Sequence, residues 1–127
     1  DRRRGKRGAK RLVAAIELLD AGAESPKESE LRLVLRSAGF GPLTANHEIR
    51  DAQGRFVARA DLAIVALRIV IEYEGDHHRD RIQWRRDMAR RRRIEAEGWV
   101  YLSVTQSDLD DPRDLLADLA AAVASRS

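Results

Sequence analysis

The chain has 127 residues, with 24 Lys and Arg against 21 Asp and Glu and a formal net charge of +3. Its length suits one domain with a modest core. The 43% hydrophobic and 35% charged content excludes a disordered tail, and the apolar runs fall far short of the roughly 20 residues that span a bilayer. Without cysteine there is no disulfide framework and no thiolate metal site, so a cytoplasmic location is expected. The sequence begins at Asp1 with neither an initiator Met nor an apolar signal segment, and is expected to be a piece of a longer protein.

The small net charge hides an uneven distribution. Residues 1–11 hold seven basic side chains and one acid, and residues 79–93 hold eight Arg and two Asp, each stretch a local +6. The rest of the chain therefore carries −9. Two concentrated basic stretches point to a polyanion partner; a solvated tail and a salt-bridged helix face would give the same charges.

In chain order, residues 1–24 read as a basic N-terminal segment with a short helix from Arg11 to Leu19, distinct from a domain at 25–127. Ser25, Pro26 and Glu28 then set a capping box with proline at the first helical position, and the helix runs through Leu31, Val34, Leu35 and Ala38 to a stop at Gly39. His47–Arg50 and the run from Arg55 to Val65 flank the turn cluster at 51–54 and predict a hairpin. A third strand extends from Arg68 to Glu74. Arg81 to about Glu97 is helical, with Trp84, Met88 and Ile94 as sparse apolar positions and Trp84 expected to supply a core contact. Trp99–Val104 forms a fourth strand, and a single helix from Asp108 to Val123 ends the pattern. The expected fold is α/β: a mixed sheet of about four strands, an antiparallel meander plus a crossover strand parallel to the third, flanked by helices.

Three acids stand where core strands should be apolar. Asp61 lies in the second strand, and Glu72 and Glu74 share one face of the third. Buried carboxylates lose hydration unless something pairs with them. A hard cation such as Mg²⁺, or Mn²⁺, does so through oxygen and can activate a water or offset phosphoryl charge. Alternatively, the acids face solvent or pair with Arg59 and Arg68. Repulsion between Glu72 and Glu74 predicts that replacing Glu72 by Gln stabilises the fold in the absence of metal.

Asp61 followed by Glu72-Tyr73-Glu74 resembles the PD-(D/E)XK nuclease core. The longer ordered set is closer still to a family related to the very short patch repair endonucleases, an uncharacterised group of restriction-endonuclease-like domains. The residues carrying that likeness are Ser25-Pro26-Lys27-Glu28, Arg59-Ala60-Asp61, Glu72-Tyr73-Glu74-Gly75-Asp76-His77-His78, Asp87-Met88-Ala89-Arg90 and Gly98-Trp99-Val100. The resemblance implies a restriction-endonuclease-like core in 25–127 and Mg²⁺-dependent (or Mn²⁺-dependent) hydrolysis of DNA phosphodiesters. Asp61 and Glu72 would bind metal, Glu74 would complete the carboxylate cluster, and His78 would assist proton transfer. An acid on the first helix, here Glu28, would approach the site, although its capping-box spacing by itself accounts for a Glu there.

Glu74 stands where the nuclease triplet has Lys, so the cation that Lys brings is missing from that position. The alternative is a nucleic-acid-binding or regulatory module that keeps the fold without useful catalysis, consistent with the antitoxin-like N-terminal region of longer family members. Adjacent histidines such as His77 and His78 do not easily chelate one ion, and His47 is the only other His. Arg79, Arg85, Arg86, Arg90, Arg92 and Arg93 follow the acids and are expected to contact DNA phosphates. A homodimer is one expected arrangement. No phosphate loop of the nucleotide-binding types is present, and no nucleotide cofactor is expected.

Overall fold

The computed structural model describes residues 25–75 and 80–127. The basic segment 1–24 with its expected helix, and His77, His78 and Arg79, lie outside the described residues. The elements are α1 (Pro26–Ser37), β1 (Thr44–Arg50), β2 (Phe56–Ile64), a 3-10 turn (Val65–Leu67), β3 (Ile69–Tyr73), α2 (Arg81–Ala96), β4 (Val100–Val104), α3 (Gln106–Asp110) and α4 (Arg113–Arg126). The sheet order is β1-β2-β3-β4, antiparallel across the first two pairs and parallel between β3 and β4. This is the α/β arrangement that the alternation of elements predicts.

Local chemistry sets the boundaries. Ser25 Oγ accepts the Glu28 N–H at 3.2 Å, opening α1. The helix closes in a Schellman motif: the Gly39 N–H donates to the Arg36 carbonyl and the Phe40 N–H to the Leu35 carbonyl, both at 3.0 Å. That motif needs a left-handed residue, and Gly39 supplies it at φ 88°. At the third strand, Arg68 adopts φ 55° after the 3-10 turn, so β3 starts one residue later than the β-branched run suggests.

The C-terminal helix expected over Asp108–Val123 is two helices. Thr105 and Asp108 form a capping box that starts α3 at Gln106, and Asp111 ends it in an extended conformation at φ −142° and ψ 96°. The residue before a proline is pushed out of the helical region, and Pro112 follows.

Two cores lie on opposite faces of the sheet. One joins Leu31 and Leu35 of α1 to Leu62, Ile64, Ile69, Ile71 and Val104, with Leu109, Leu115 and Leu119 from α3 and α4. The other, smaller, joins Ile49, Ala58, Ala60, Val70 and Tyr101 to Ile94 of α2. A two-residue period would put Ala58, Ala60, Leu62 and Ile64 on one face. They divide instead between the two cores, so the phase of β2 reverses at Asp61. In β1, Ala45 packs against the first core and Ile49 belongs to the second. Asn46 lies between them with φ 52°, opposite Asp61 by continuity of the register. Asn tolerates this left-handed conformation better than most residues.

Candidate functional site

The reversal at Asp61 positions the acids. Neither core claims its side chain, which is left partly buried where the two faces meet. Continuing the Leu62–Ile71 register by one residue sets Asp61 opposite Glu72. From this junction Asp61 feels carboxylates from both sides: Glu72 and Glu74 at the end of β3, and Glu28 from the first turn of α1. Burial first, then the Glu72 and Glu28 charges, push its carboxyl up to about 6, and the Arg90 cation only partly opposes them. The structure thus brings Glu28, Asp61, Glu72 and Glu74 into one electrostatic neighbourhood.

Glu72 is the buried member, 6% exposed. Arg90 grips it in a two-pronged ion pair, Nη1 donating to Oε2 at 2.7 Å and Nη2 to Oε1 at 2.6 Å. Nη2 also donates to the Arg59 carbonyl at 2.6 Å, which ties α2 to β2. Such a fork is geometrically specific and roughly twice as strong as neutral hydrogen bonding. The Tyr101 hydroxyl lies 2.9 Å from Glu72 Oε2 and 3.1 Å from Glu74 Oε1, bridging the two carboxylates. Burial and the Glu72 charge raise the Tyr101 hydroxyl pKa, so this oxygen keeps its proton and remains a donor. The Arg91 guanidinium stacks 4.8 Å above the ring of Tyr101.

The cation on Glu72 is therefore neither of those the sequence suggested. Arg59 pairs with Glu48 at 3.5 Å, and Arg68 donates to the Glu97 carbonyl at 3.4 Å. Arg90 also differs from the other arginines expected to face DNA, because its guanidinium is turned inward. Its position on α2 explains this: it precedes the fully buried Ile94 by four residues, one helical turn, and so shares the face that packs on the sheet. Tyr101 escaped the sequence reading altogether. Its signal was its register partner Val70, which shares a face with Glu72.

Arg85, Arg86, Arg92 and Arg93 are exposed, as a phosphate-binding face requires. Trp84 is not the core contact expected of it: it is 55% exposed, and Ile82 is 63% exposed. Ten residues before Ile94, Trp84 is rotated about 80° from the buried face. The first six residues of α2, 81–86, are all exposed and carry three Arg beside Ile82 and Trp84. Asp80 caps this projecting turn by accepting the Gln83 N–H at 2.7 Å.

Among the described residues no group of three or more His, Asp or Glu side chains is close enough to hold a metal ion. No helix among them is long and apolar enough to cross a membrane.

Neither a protein-family model nor a solved structure matches the chain. It is similar to two uncharacterized proteins of Mycobacterium tuberculosis, one from strain CDC 1551 / Oshkosh and one from strain H37Rv, at 35% identity to each over 125 residues. That match covers 95% of this chain but only 44% of each relative, so the chain spans less than half the length of these curated proteins.

Proposed function

We propose that the chain is a DNA-directed, divalent-metal-dependent endonuclease domain of the restriction-endonuclease-like kind, related to the very short patch repair endonucleases. The observation that carries this reading is the crowding of Glu28, Glu72 and Glu74 around the partly buried Asp61, with Arg90 as the one opposing cation. Four carboxylates against one guanidinium leave the site acidic, and that excess adds to burial in pushing Asp61 up. All the donors are hard oxygens, which suits Mg²⁺ or Mn²⁺ and excludes a soft-metal site. Mg²⁺ is usually held by only one or two carboxylates together with substrate phosphates. By continuity of the register Asp61 lies across from Glu72, and these two would supply the carboxylates once Glu72 is freed from Arg90.

Bound there, the cation would supply an activated water and offset charge on a phosphoryl oxygen. Glu74 and the Tyr101 hydroxyl would orient groups at the mouth of the site, and His78, carried over from the family resemblance, would move the proton. Arg85, Arg86, Arg92 and Arg93 would hold the DNA backbone. The cytoplasmic location expected from the sequence goes with this reading.

One observation favours the alternative, a binding or regulatory module. Glu72 already has both oxygens occupied, and Glu74 stands where a nuclease of this kind has Lys. The two readings separate in a cleavage assay on plasmid and oligonucleotide DNA with Mg²⁺, Mn²⁺ or EDTA. The nuclease reading expects metal-dependent cleavage that EDTA and Asp61→Ala abolish. Tight DNA binding with no cleavage under any metal would replace it with the module.

A further inference from the structure

Arg90 already holds both oxygens of Glu72, the atoms a metal ion would need. Both accept guanidinium N–H groups at 2.6 and 2.7 Å, and the Tyr101 hydroxyl takes a further lone pair on Oε2. Glu72 is only 6% exposed, and the fork covers both oxygens of its carboxylate. The Arg90 side chain, in contrast, is 29% exposed. Besides Glu72 it touches the Arg59 carbonyl and the Tyr101 hydroxyl, and withdrawal toward solvent would break these contacts without moving α2.

We infer that Arg90 is a built-in counter-cation that closes the site: it and the divalent ion are alternative occupants of Glu72, and Arg90 thereby sets the metal affinity. The inference rests on the metal reading above and adds a competition that the reading does not require. Without Arg90, Glu72 would be a buried charge held only by the Tyr101 hydroxyl, which the fold tolerates poorly. With Arg90 in place, the ion must displace a charge-assisted fork before it binds. Displacement would turn the guanidinium outward, beside the exposed arginines of α2, where a phosphate could take it up. The acidic site would then fill, and the extra cation would appear, in the same event.

The test is Mn²⁺ binding, read from the loss of the free-ion paramagnetic resonance signal, for wild type, Arg90→Lys and Arg90→Met. Arg90→Lys keeps the charge on a single point contact and so keeps the fold if Arg90→Met does not. The inference expects Arg90→Met to bind Mn²⁺ about tenfold more tightly than wild type, with Arg90→Lys between them. A second measurement on wild type follows the Arg90 guanidinium nitrogens by NMR during Mg²⁺ addition. The separate Nη signals of the pinned side chain should merge as it is released. If wild type binds Mn²⁺ and both variants match it, or the Arg90 signals stay separate at saturating Mg²⁺, the competition is overturned while the metal reading stands. If neither wild type nor any variant binds either ion, both fall together.

Discussion

Asp61→Asn offers the sharpest test of the carboxylate cluster, because one change should raise stability and abolish function. In the fold the Asp61 carboxyl is pushed from an ordinary 3.8 to about 6, chiefly by burial and by the Glu72 and Glu28 charges. A raised folded-state pKa means that the native protein holds this proton more tightly than the unfolded chain does. The resulting stabilisation is complete below pH 3.8 and is lost as pH rises through about 6. A shift of one unit corresponds to about 1.4 kcal/mol. Asp61 is only partly buried, so solvent screening reduces the full effect by about half, leaving roughly 1–2 kcal/mol. Asn cannot ionise. The variant should therefore be about 1–2 kcal/mol more stable than wild type at pH 8 and nearly equal to it at pH 4. Urea unfolding followed by circular dichroism across this range measures the difference. A stability difference independent of pH, or a variant less stable at pH 8, would refute the crowding of Asp61 by its neighbours.

Glu72→Gln should destabilise the fold by about 2 kcal/mol, since it leaves Arg90 without its counter-charge; thermal melting measures it, and a higher melting temperature would restore the simple repulsion picture. DNA affinity should fall with salt at a log–log slope of about −0.9 per phosphate contacted, and replacing Arg85 and Arg86 by Ala should make that slope shallower in a fluorescence anisotropy titration. An unchanged slope would remove α2 from the interface. Trp84→Ala should leave the melting temperature nearly unchanged, because the side chain is 55% exposed. If Trp84 stacks on a base, the same variant should weaken DNA binding by about 1–3 kcal/mol.

Much of the architecture was legible because punctuation and periodicity agreed. Ser25 and Gly39 bracket α1, Gly98 follows α2, and the β-branched runs gave the strands and their order. The missed break between α3 and α4 had a signal in Pro112, but the leucine stripe through Leu115 and Leu119 outweighed it. At the site, period-two reasoning correctly put Glu72 and Glu74 on one face. It gave no face for Asp61, because the strand phase reverses there, opposite the left-handed Asn46 of the neighbouring strand, a tertiary feature without a local pattern. The expected relief on removing Glu72 left Arg90 out of account for a similar reason. Repulsion between neighbours in sequence is visible from the chain, whereas the cation that offsets it comes from 18 residues away. Trp84 misled because a large aromatic in a helix with few apolar residues looks like an anchor, while Ile94 alone is fully buried along α2.

The central claim is that Asp61 and Glu72 share a divalent ion. Anomalous diffraction from crystals of the protein soaked in Mn²⁺ tests it most directly. The account predicts a single strong peak between the two carboxylates, with the Arg90 guanidinium withdrawn from Glu72. Saturating Mn²⁺ that leaves no peak there, with the Arg90–Glu72 fork intact, would contradict it.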